Sequence, residues 1–213
     1  MRWPVLKVYE FKGFANPARV RIALAEKGLF DKTEFVQINL PAGEHRSPEY
    51  RAKNPSGLVP ALELEDGTIL SECSAITEYL DGLSGETDLT GRTAIERARI
   101  NMMQRKIEQG FLGAATDFFH HATEGLGPDV ELYQNADWGR HQLDVAMKTL
   151  EWMNGVLEGQ DYFAGDTFTI ADITAMAGCA LLDFLKLEIP AEYKNMKAWH
   201  ARVFARPSAA LAA

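Results

Sequence analysis

Apolar and polar residues alternate over short stretches in residues 1–82, a spacing typical of β-strands. The segment Val5–Phe11 is rich in β-branched and aromatic residues and predicts a strand. A helix follows, with Pro17 in its first turn and Gly28 as its C-terminal residue. Thr33–Leu40 predicts a second strand. The order β-α-β predicts two parallel strands joined by a right-handed crossover.

Two further apolar runs, "VPALELE" and "TILSE", flank Asp66-Gly67, a dipeptide typical of hairpin turns. The polar stretch "GEHRSPEYRAKNPSG" precedes them, and we expect one helical turn within it. "SAITEYLDGL" then predicts a helix. The first part of the chain is therefore predicted to be an α/β domain with the order βαβ-ββα.

The rest of the chain has helical periodicity, since apolar residues recur at spacings of three and four. Two such stripes are Ile100, Met103, Ile107, Phe111, Ala114 and Phe118, and then Leu143, Ala146, Leu150, Met153 and Leu157. "FTIADITAMAGCALLDFL" is apolar on every side and predicts a central helix. We predict an α/β domain over residues 1–82, a linker over 83–92 and an all-α helical bundle domain over 93–213.

Composition argues against several classes of function. The net charge of −8 argues against nucleic-acid binding, which needs clustered Lys and Arg. Cys73 and Cys179 lie far apart, so neither a disulfide framework nor a zinc site is expected. No run approaches the roughly 18 apolar residues that span a membrane, and the first residues lack a signal peptide's apolar core. We expect a cytoplasmic protein with no metal.

The motifs "SGLVPALELEDGTILSECSAITEYL", "PARVRIALAEKG" and "AGDTFTIADI" together resemble the glutathione transferase family. "GEHRSPEY", "FHHATEGLGP" and "ELYQN" are most similar to a fungal and bacterial subgroup that is represented in yeast. The resemblance covers nearly the whole chain. It implies a thioredoxin-like N-terminal domain that binds glutathione, an all-helical domain that binds a small hydrophobic electrophile, and a homodimer. Glutathione would be a co-substrate, and no cofactor is implied.

The resemblance also implies which residues contact glutathione. Val59 and Pro60 would form a cis peptide, and the main chain of Val59 would pair with the cysteinyl part of the ligand. The alternative is a cis-proline that is purely structural. His45, in the loop after the second strand, would contact the glycine carboxylate. The alternative is that His45 and Arg46 are exposed loop residues without a ligand.

Glu72, Cys73 and Ser74 occupy the predicted start of a helix, where free N–H groups favour the γ-glutamyl carboxylate. Glu72 would face the γ-glutamyl amine. Cys73 departs from the serine usual in the family, and a thiol is a weak hydrogen-bond donor. The main chain of Cys73 or the Ser74 side chain must then do more of the binding. Cys73 could also be a buried filler residue or a redox group.

The group that activates the glutathione thiol is not evident from the resemblance. Enzymes of this kind place a Tyr, Ser or Cys near the first helix, but this chain has Phe14, Ala15 and Asn16 there. Asn16 and nearby main-chain N–H groups could stabilise the thiolate. Tyr9, in the first strand, is an alternative activator.

Thr116 and His120 are spaced by four residues and share a helix face with Gly113. If that face lines the cleft, they could hold a water that accepts the thiol proton, because imidazole titrates near neutrality. The alternatives are a histidine that caps the helix, or that His121 points inward instead. Aromatic residues that could line the electrophile pocket or pack in the core are Phe111, Phe118, Phe119, Tyr133 and Trp138.

Thr169 and Asp172 fit a helix capping box, and we expect them to be structural. The function predicted is conjugation of the glutathione thiolate to an electrophile, as in detoxification. Two alternatives remain open: a non-catalytic glutathione-binding regulatory module, and a glutathione-dependent reductase or peroxidase that uses Cys73.

Overall fold

The computed structural model describes residues 4–83 and 85–211. Ser84 of the predicted linker and the outermost residues of both predicted domains lie outside this description. The N-terminal elements are β1 (Leu6–Glu10), α1 (Ala15–Glu26), β2 (Thr33–Gln37), α2 (Pro48–Lys53), β3 (Ala61–Glu63), β4 (Ile69–Ser71) and α3 (Cys73–Leu83). The helical elements that follow are α4 (Ala94–Ile107), α5 (Ala114–Ala122), α6 (Ala136–Val156), α7 (Ile170–Phe184) and α8 (Lys194–Phe204).

The four strands form one mixed sheet in the order β2-β1-β3-β4. The pair β1 and β2 is parallel, as the βαβ pattern predicts, while β3 is antiparallel to both β1 and β4. Asp66-Gly67 forms the turn between β3 and β4, and Gly67 has a φ of 84° that favours glycine. The predicted fold class, a thioredoxin-like domain followed by a helical domain, is confirmed.

The connection between β2 and β3 contains more helix than predicted. A short 3₁₀ turn covers Glu44–Arg46, and α2 follows with Pro48 in its first turn. The Ser47 side chain accepts a hydrogen bond from the N–H of Tyr50 and so caps α2. Tyr50 in turn donates to the main-chain oxygen of Leu58, which ties α2 to the segment before β3.

One long apolar stripe in the sequence proves to be two helices joined by a π-helical segment, Glu108–Gly113. A π turn holds an extra residue, so the buried face shifts by one position after it. Phe119 is accordingly buried, whereas Phe118, which the regular spacing places in the stripe, is half-buried. The regular-helix prediction for this stretch is therefore wrong at Phe118.

Helix α7 is the central helix, as its all-round apolar pattern predicts, and it is buried over nearly its whole length. The predicted capping box is present, with the Thr169 N–H donating to Asp172 Oδ2 at 2.9 Å. The other oxygen of Asp172 accepts from the Trp199 indole at 2.9 Å. Burial raises the pKa of the Asp172 carboxyl to about 6 despite these donors.

Buried residues of both halves belong to one continuous apolar core, in which α1 packs on α7. Two ion pairs also cross between the halves: Arg19 with Glu108 at 2.7 Å, and Arg206 with Glu26 at 2.7 Å. These contacts tie both the first half of α1 and its last residue, Glu26, to the helical half. Within the described residues, no helix combines the length and apolar character needed to cross a membrane.

Candidate active site

A cleft of about 520 Å³ lies between the two halves of the molecule. The N-terminal half contributes the start of α1 (13–18), the 3₁₀ turn with His45 and Arg46, and the segment 57–59. The helical half contributes α5, the loop after it, and the last turns of α7. Several residues singled out in the sequence line this one cleft: Asn16, His45, Val59, Thr116 and His120.

The peptide between Val59 and Pro60 is cis, as expected. Within the described residues, neither the N–H nor the C=O of Val59 has a hydrogen-bond partner. Both groups are therefore available to an extended peptide in the cleft. Pro60 is buried and does not line the cleft.

Helix α1 begins at the cleft without a side-chain cap. The helix begins with a hydrogen bond from the N–H of Ala18 to the oxygen of Phe14. The N–H groups of Ala15 and Asn16 lie before this donor and therefore have no partner within the helix. The Asn16 side-chain oxygen accepts a hydrogen bond from Arg19 at 3.0 Å. This bond uses only the oxygen, so the amide NH₂ group is still available to donate to a ligand. This end of α1 is suited to stabilise an anion.

The start of α3 lies beside the start of α1. Cys73 is buried, and its thiol donates to the main-chain oxygen of Asn16, with 3.4 Å between sulfur and oxygen. Burial raises the pKa of this thiol. Glu72, Cys73 and Ser74 are outside the 520 Å³ cleft, but the Cys73–Asn16 contact places them directly next to it.

Glu72 precedes α3 in a left-handed conformation, with a φ of 69°. This conformation is uncommon for residues other than glycine, and it tends to occur at functional sites. The Glu72 oxygen accepts from the N–H of Ile76, so the N–H groups of Cys73 and Ser74 have no partner within the helix. The Glu72 side chain is exposed and free to meet a ligand.

His45 is buried, with 8% of its surface exposed, and its Nδ1 atom has no hydrogen-bond partner. Burial lowers the pKa of this imidazole, and Arg46 and Arg51 lower it further. The segment that contains Gly57 packs closely on the turn that carries His45. A Cβ at position 57 would lie only 2.8 Å from the main-chain oxygen of His45. A buried, unpaired ring nitrogen at the cleft is a candidate partner for a ligand carboxylate.

Thr116 and His120 form part of the opposite wall. The Thr116 hydroxyl donates to the Leu112 oxygen at 2.8 Å, so towards the cleft it can only accept. The Nδ1 atom of His120 lies 2.7 Å from Oε1 of Glu131, and within the described residues its Nε2 atom has no partner. His121 also lines the cleft, but its Nδ1 accepts from the N–H of Asn135.

Sequence reasoning missed Glu131. This residue lies in the loop between α5 and α6, where no regular spacing connects it with His120. Only the folded loop brings the two side chains together. The carboxylate of Glu131 also accepts from the N–H of Leu126 at 2.8 Å.

The structure places the alternative activator, Tyr9, outside the cleft. Its hydroxyl donates to Glu63, and its ring is buried against Tyr50. Burial raises the pKa of Tyr9, with a further contribution from Glu63. A hydroxyl with a raised pKa that is bound to a carboxylate is not suited to stabilise a thiolate in the cleft.

The aromatic residues separate into three groups. Phe119 and Phe184 line the cleft with Leu126, Val130 and Leu181 and form its apolar side. Phe111 is fully buried and packs in the core, as one of the two sequence interpretations proposed. Tyr133 and Trp138 are exposed, at 72% and 45%, and do not line the cleft.

Family profiles match both halves of the chain. The profile of the glutathione S-transferase N-terminal domain matches residues 15–83, and that of the C-terminal domain matches residues 133–207. The chain belongs to the glutathione S-transferase family. The resemblance inferred from its motifs is thereby confirmed.

Relatives with high identity cover most of this transferase. Glutathione S-transferase 2 of Saccharomyces cerevisiae is 49% identical over 201 residues, which are 94% of this chain and 86% of that protein. The crystal structure of Gtt2 from S. cerevisiae matches with a TM-score of 0.95 and 47% identity, covering 97% of this chain and 100% of that chain. A glutathione S-transferase domain-containing protein of Marinobacter aquaeolei has 52% identity and a TM-score of 0.93, over 95% and 98% of the two chains.

Membership in the glutathione S-transferase family identifies the chain as a glutathione transferase enzyme. The family also implies glutathione and an electrophile as its two substrates. The chain departs from the pattern usual in the family at two places in the site. Cys73 stands where serine is usual, and no hydroxyl or thiol occupies the first turn of α1.

Proposed function

We propose that this transferase activates the glutathione thiol through a water held by Thr116 and His120, opposite the start of α1. The observation that carries the proposal is the arrangement of His120. Its Nδ1 is bonded to Glu131, while Nε2, on a residue that lines the cleft, has no partner within the described residues. An imidazole in this state can accept a proton through Nε2.

Glutathione binding is proposed along the N-terminal wall. The γ-glutamyl carboxylate would meet the free N–H groups of Cys73 and Ser74, with Glu72 facing the amine. The cysteinyl part would pair with the main chain of Val59. The glycine carboxylate would accept from the buried ring of His45.

This placement directs the glutathione sulfur towards the start of α1. The free N–H groups of Ala15 and Asn16, the Asn16 amide and the positive end of the helix dipole would lower the thiol pKa there. No side chain of the chain has to form a covalent bond with the substrate. The role of α1 is electrostatic stabilisation of the thiolate, as in an oxyanion hole.

The orientation of Thr116 supports a water as the proton carrier. Because its hydroxyl proton is held by the Leu112 oxygen, Thr116 can only accept from that water. The water would donate one hydrogen to Thr116 and the other to Nε2 of His120, and its own oxygen would accept from the thiol. One proton then leaves sulfur, one passes from the water to Nε2, and the products are a thiolate and an imidazolium.

The electrophile would occupy the apolar side of the cleft, formed by Phe119, Leu126, Leu181 and Phe184. A small hydrophobic molecule with an electrophilic carbon fits this lining. We propose that no cofactor takes part, since the thiolate attacks the electrophile directly. A homodimer and a cytoplasmic, detoxifying role remain expectations from the sequence.

A spectroscopic titration tests the proposal. Thiolate absorption of bound glutathione should appear with a midpoint clearly below the value of about 8.5 that is usual for a free cysteine thiol. His120→Gln should move this midpoint upwards and lower kcat by about a hundredfold, while His121→Gln serves as the matched control. Glutathione binding without a thiolate signal would overturn the proposal in favour of the non-catalytic binding module.

The reductase or peroxidase alternative has less support. A redox cysteine needs an accessible thiol of low pKa. Cys73 is buried, and burial raises its pKa.

A further inference from the structure

We infer that Glu131 is a positioning residue for catalysis, because it fixes the tautomer of His120. The inference rests on the proposed function, in which Nε2 of His120 accepts the proton. A carboxylate only accepts hydrogen bonds, so the 2.7 Å contact requires the proton of neutral His120 to be on Nδ1. The lone pair is then on Nε2, the atom that meets the water.

The loop that carries Glu131 is built to hold its carboxylate in place. The Glu131 side chain is only 10% exposed, and its Oε1 also accepts from the N–H of Leu126. A Cβ at position 125 would lie 2.3 Å from Oε1, so only glycine leaves room for the carboxylate. Gly125 has a φ of 55°, which also favours glycine.

Further hydrogen bonds tie this loop to both walls of the cleft. The Gln134 side chain donates to the main-chain oxygens of His120 and Thr123, which fastens the loop to the end of α5. From the opposite wall, Arg46 donates to the oxygen of Val130 at 2.6 Å. Arg46 follows His45, so the loop that presents Glu131 is fastened to the loop proposed to bind the glycine carboxylate.

The same contact stabilises the product of proton transfer. When His120 takes the proton from the water it becomes an imidazolium, and the negative charge of Glu131 lies beside it. Without the carboxylate, neutral His120 could place its proton on Nε2 and would then be unable to accept one from the water. A carboxylate that orients a histidine base in this way acts through that histidine, as in hydrolase triads.

Nitrogen NMR of ¹⁵N-labelled wild-type protein gives a test that needs no variant. Neutral His120 should show a protonated Nδ1 and an unprotonated Nε2. The reverse tautomer in the wild-type protein would overturn the inference, whatever any substitution does.

Kinetics provide the second test. Glu131→Gln keeps an oxygen that can accept from Leu126 but removes the charge, and it should lower kcat about tenfold or more with little change in KM for glutathione. The exposed Glu124→Gln in the same loop is the matched control. In a His120→Gln background, Glu131→Gln should have no further effect on kcat.

The outcomes separate this inference from the proposed function. If His120→Gln raises the thiolate midpoint and lowers kcat, while Glu131→Gln leaves kcat and the tautomer unchanged, the role of Glu131 is wrong and the function stands. If His120→Gln changes nothing, the proposed function itself is wrong. A rise in KM for glutathione with kcat unchanged, on Glu131→Gln, would assign Glu131 to binding and also overturn the inference.

Discussion

The thiol of Cys73 donates a hydrogen bond to the main-chain oxygen of Asn16, with 3.4 Å between the two atoms. This contact joins the starts of α3 and α1, the two helix ends proposed to hold the carboxylate and the sulfur of glutathione. A cysteine at this position therefore has a structural partner, and its thiol is turned towards the protein interior.

Replacing Cys73 by serine should preserve conjugation. A hydroxyl makes a stronger bond to the Asn16 oxygen than a thiol does, so kcat/KM should stay within about threefold of the wild-type value or improve. Because burial raises the Cys73 pKa, we also expect native protein to resist alkylation there. Peptide mass spectrometry after alkylation checks the second point. Loss of conjugation in Cys73→Ser would mean that the thiol takes part in the chemistry.

Replacing His45 by alanine should weaken glutathione binding. A hydrogen bond to a charged group contributes about 1.5–3 kcal/mol, which corresponds to roughly a tenfold to hundredfold rise in Kd. Glutathione with its glycine carboxylate amidated should bind wild type and His45→Ala about equally. Calorimetry with both ligands checks this, and an equal loss for both would show that His45 does not meet the carboxylate.

His45 also predicts a pH dependence of binding. Its pKa is lowered in the free protein by burial, Arg46 and Arg51. The native state therefore binds this proton less readily than the unfolded chain, and stability decreases as pH falls below about 6.5. A carboxylate beside the ring favours the imidazolium, so glutathione binding in that window should take up protons. Calorimetry in buffers of different ionisation enthalpy should detect the uptake, and His45→Ala should abolish it.

Gly178→Ala should destabilise the protein although alanine favours helices. A Cβ at this position of α7 would lie 2.4 Å from the ring of Phe111, which is fully buried and cannot move aside. Overpacking of this kind costs about 1–3 kcal/mol. Gly155→Ala in α6 is the matched control, since nothing lies within 4 Å of a Cβ there, and it should stabilise by up to about 1 kcal/mol. Equal effects in denaturant unfolding would contradict this packing.

The Glu26–Arg206 pair predicts an acid-sensitive contact between the halves. Burial opposes ionisation of Glu26, but the hydrogen bonds from Arg206 and Ser208 outweigh it and lower the pKa. The stabilisation is therefore present above the unfolded pKa of about 4.3 and is lost as pH falls through the folded pKa. Glu26→Gln should cost about 1–3 kcal/mol near neutrality.

That cost should shrink in acid, since both proteins then carry an uncharged side chain at position 26. Denaturant unfolding at a series of pH values measures it, with exposed Glu158→Gln as control. A cost that did not change with pH would show that the ion pair contributes nothing.

Much of the fold follows from local signals in the sequence. Asp66-Gly67 predicts the β3–β4 turn, Thr169 with Asp172 predicts the start of α7, and continuous apolar residues predict that α7 is central. These features depend on turn chemistry and periodicity, which act over a few residues. The π-helical segment could not be predicted from local signals, because tertiary packing determines where its extra residue lies. Gly110 lies against Thr149 of α6, and Phe111 lies against Gly178 of α7.

The candidate site, like the fold, could be predicted from the sequence only where local spacing determines it. The spacing of Thr116 and His120 places them on one face, and the structure puts both in the cleft. The partner of His120 could not be predicted, because Glu131 reaches it only through a loop without regular structure. Pairing of Arg19 with Glu108 likewise depends on how the two halves pack.

The position of the sulfur in a crystal structure of the glutathione complex would decide whether the start of α1 and His120 activate the thiol. We expect the sulfur to lie within about 3.5 Å of a donor at the start of α1, Asn16 or a neighbouring N–H group, with an ordered water between the sulfur and Nε2 of His120. A sulfur turned away from both helix α1 and His120, or a ligand absent from the cleft in a folded protein, would contradict it.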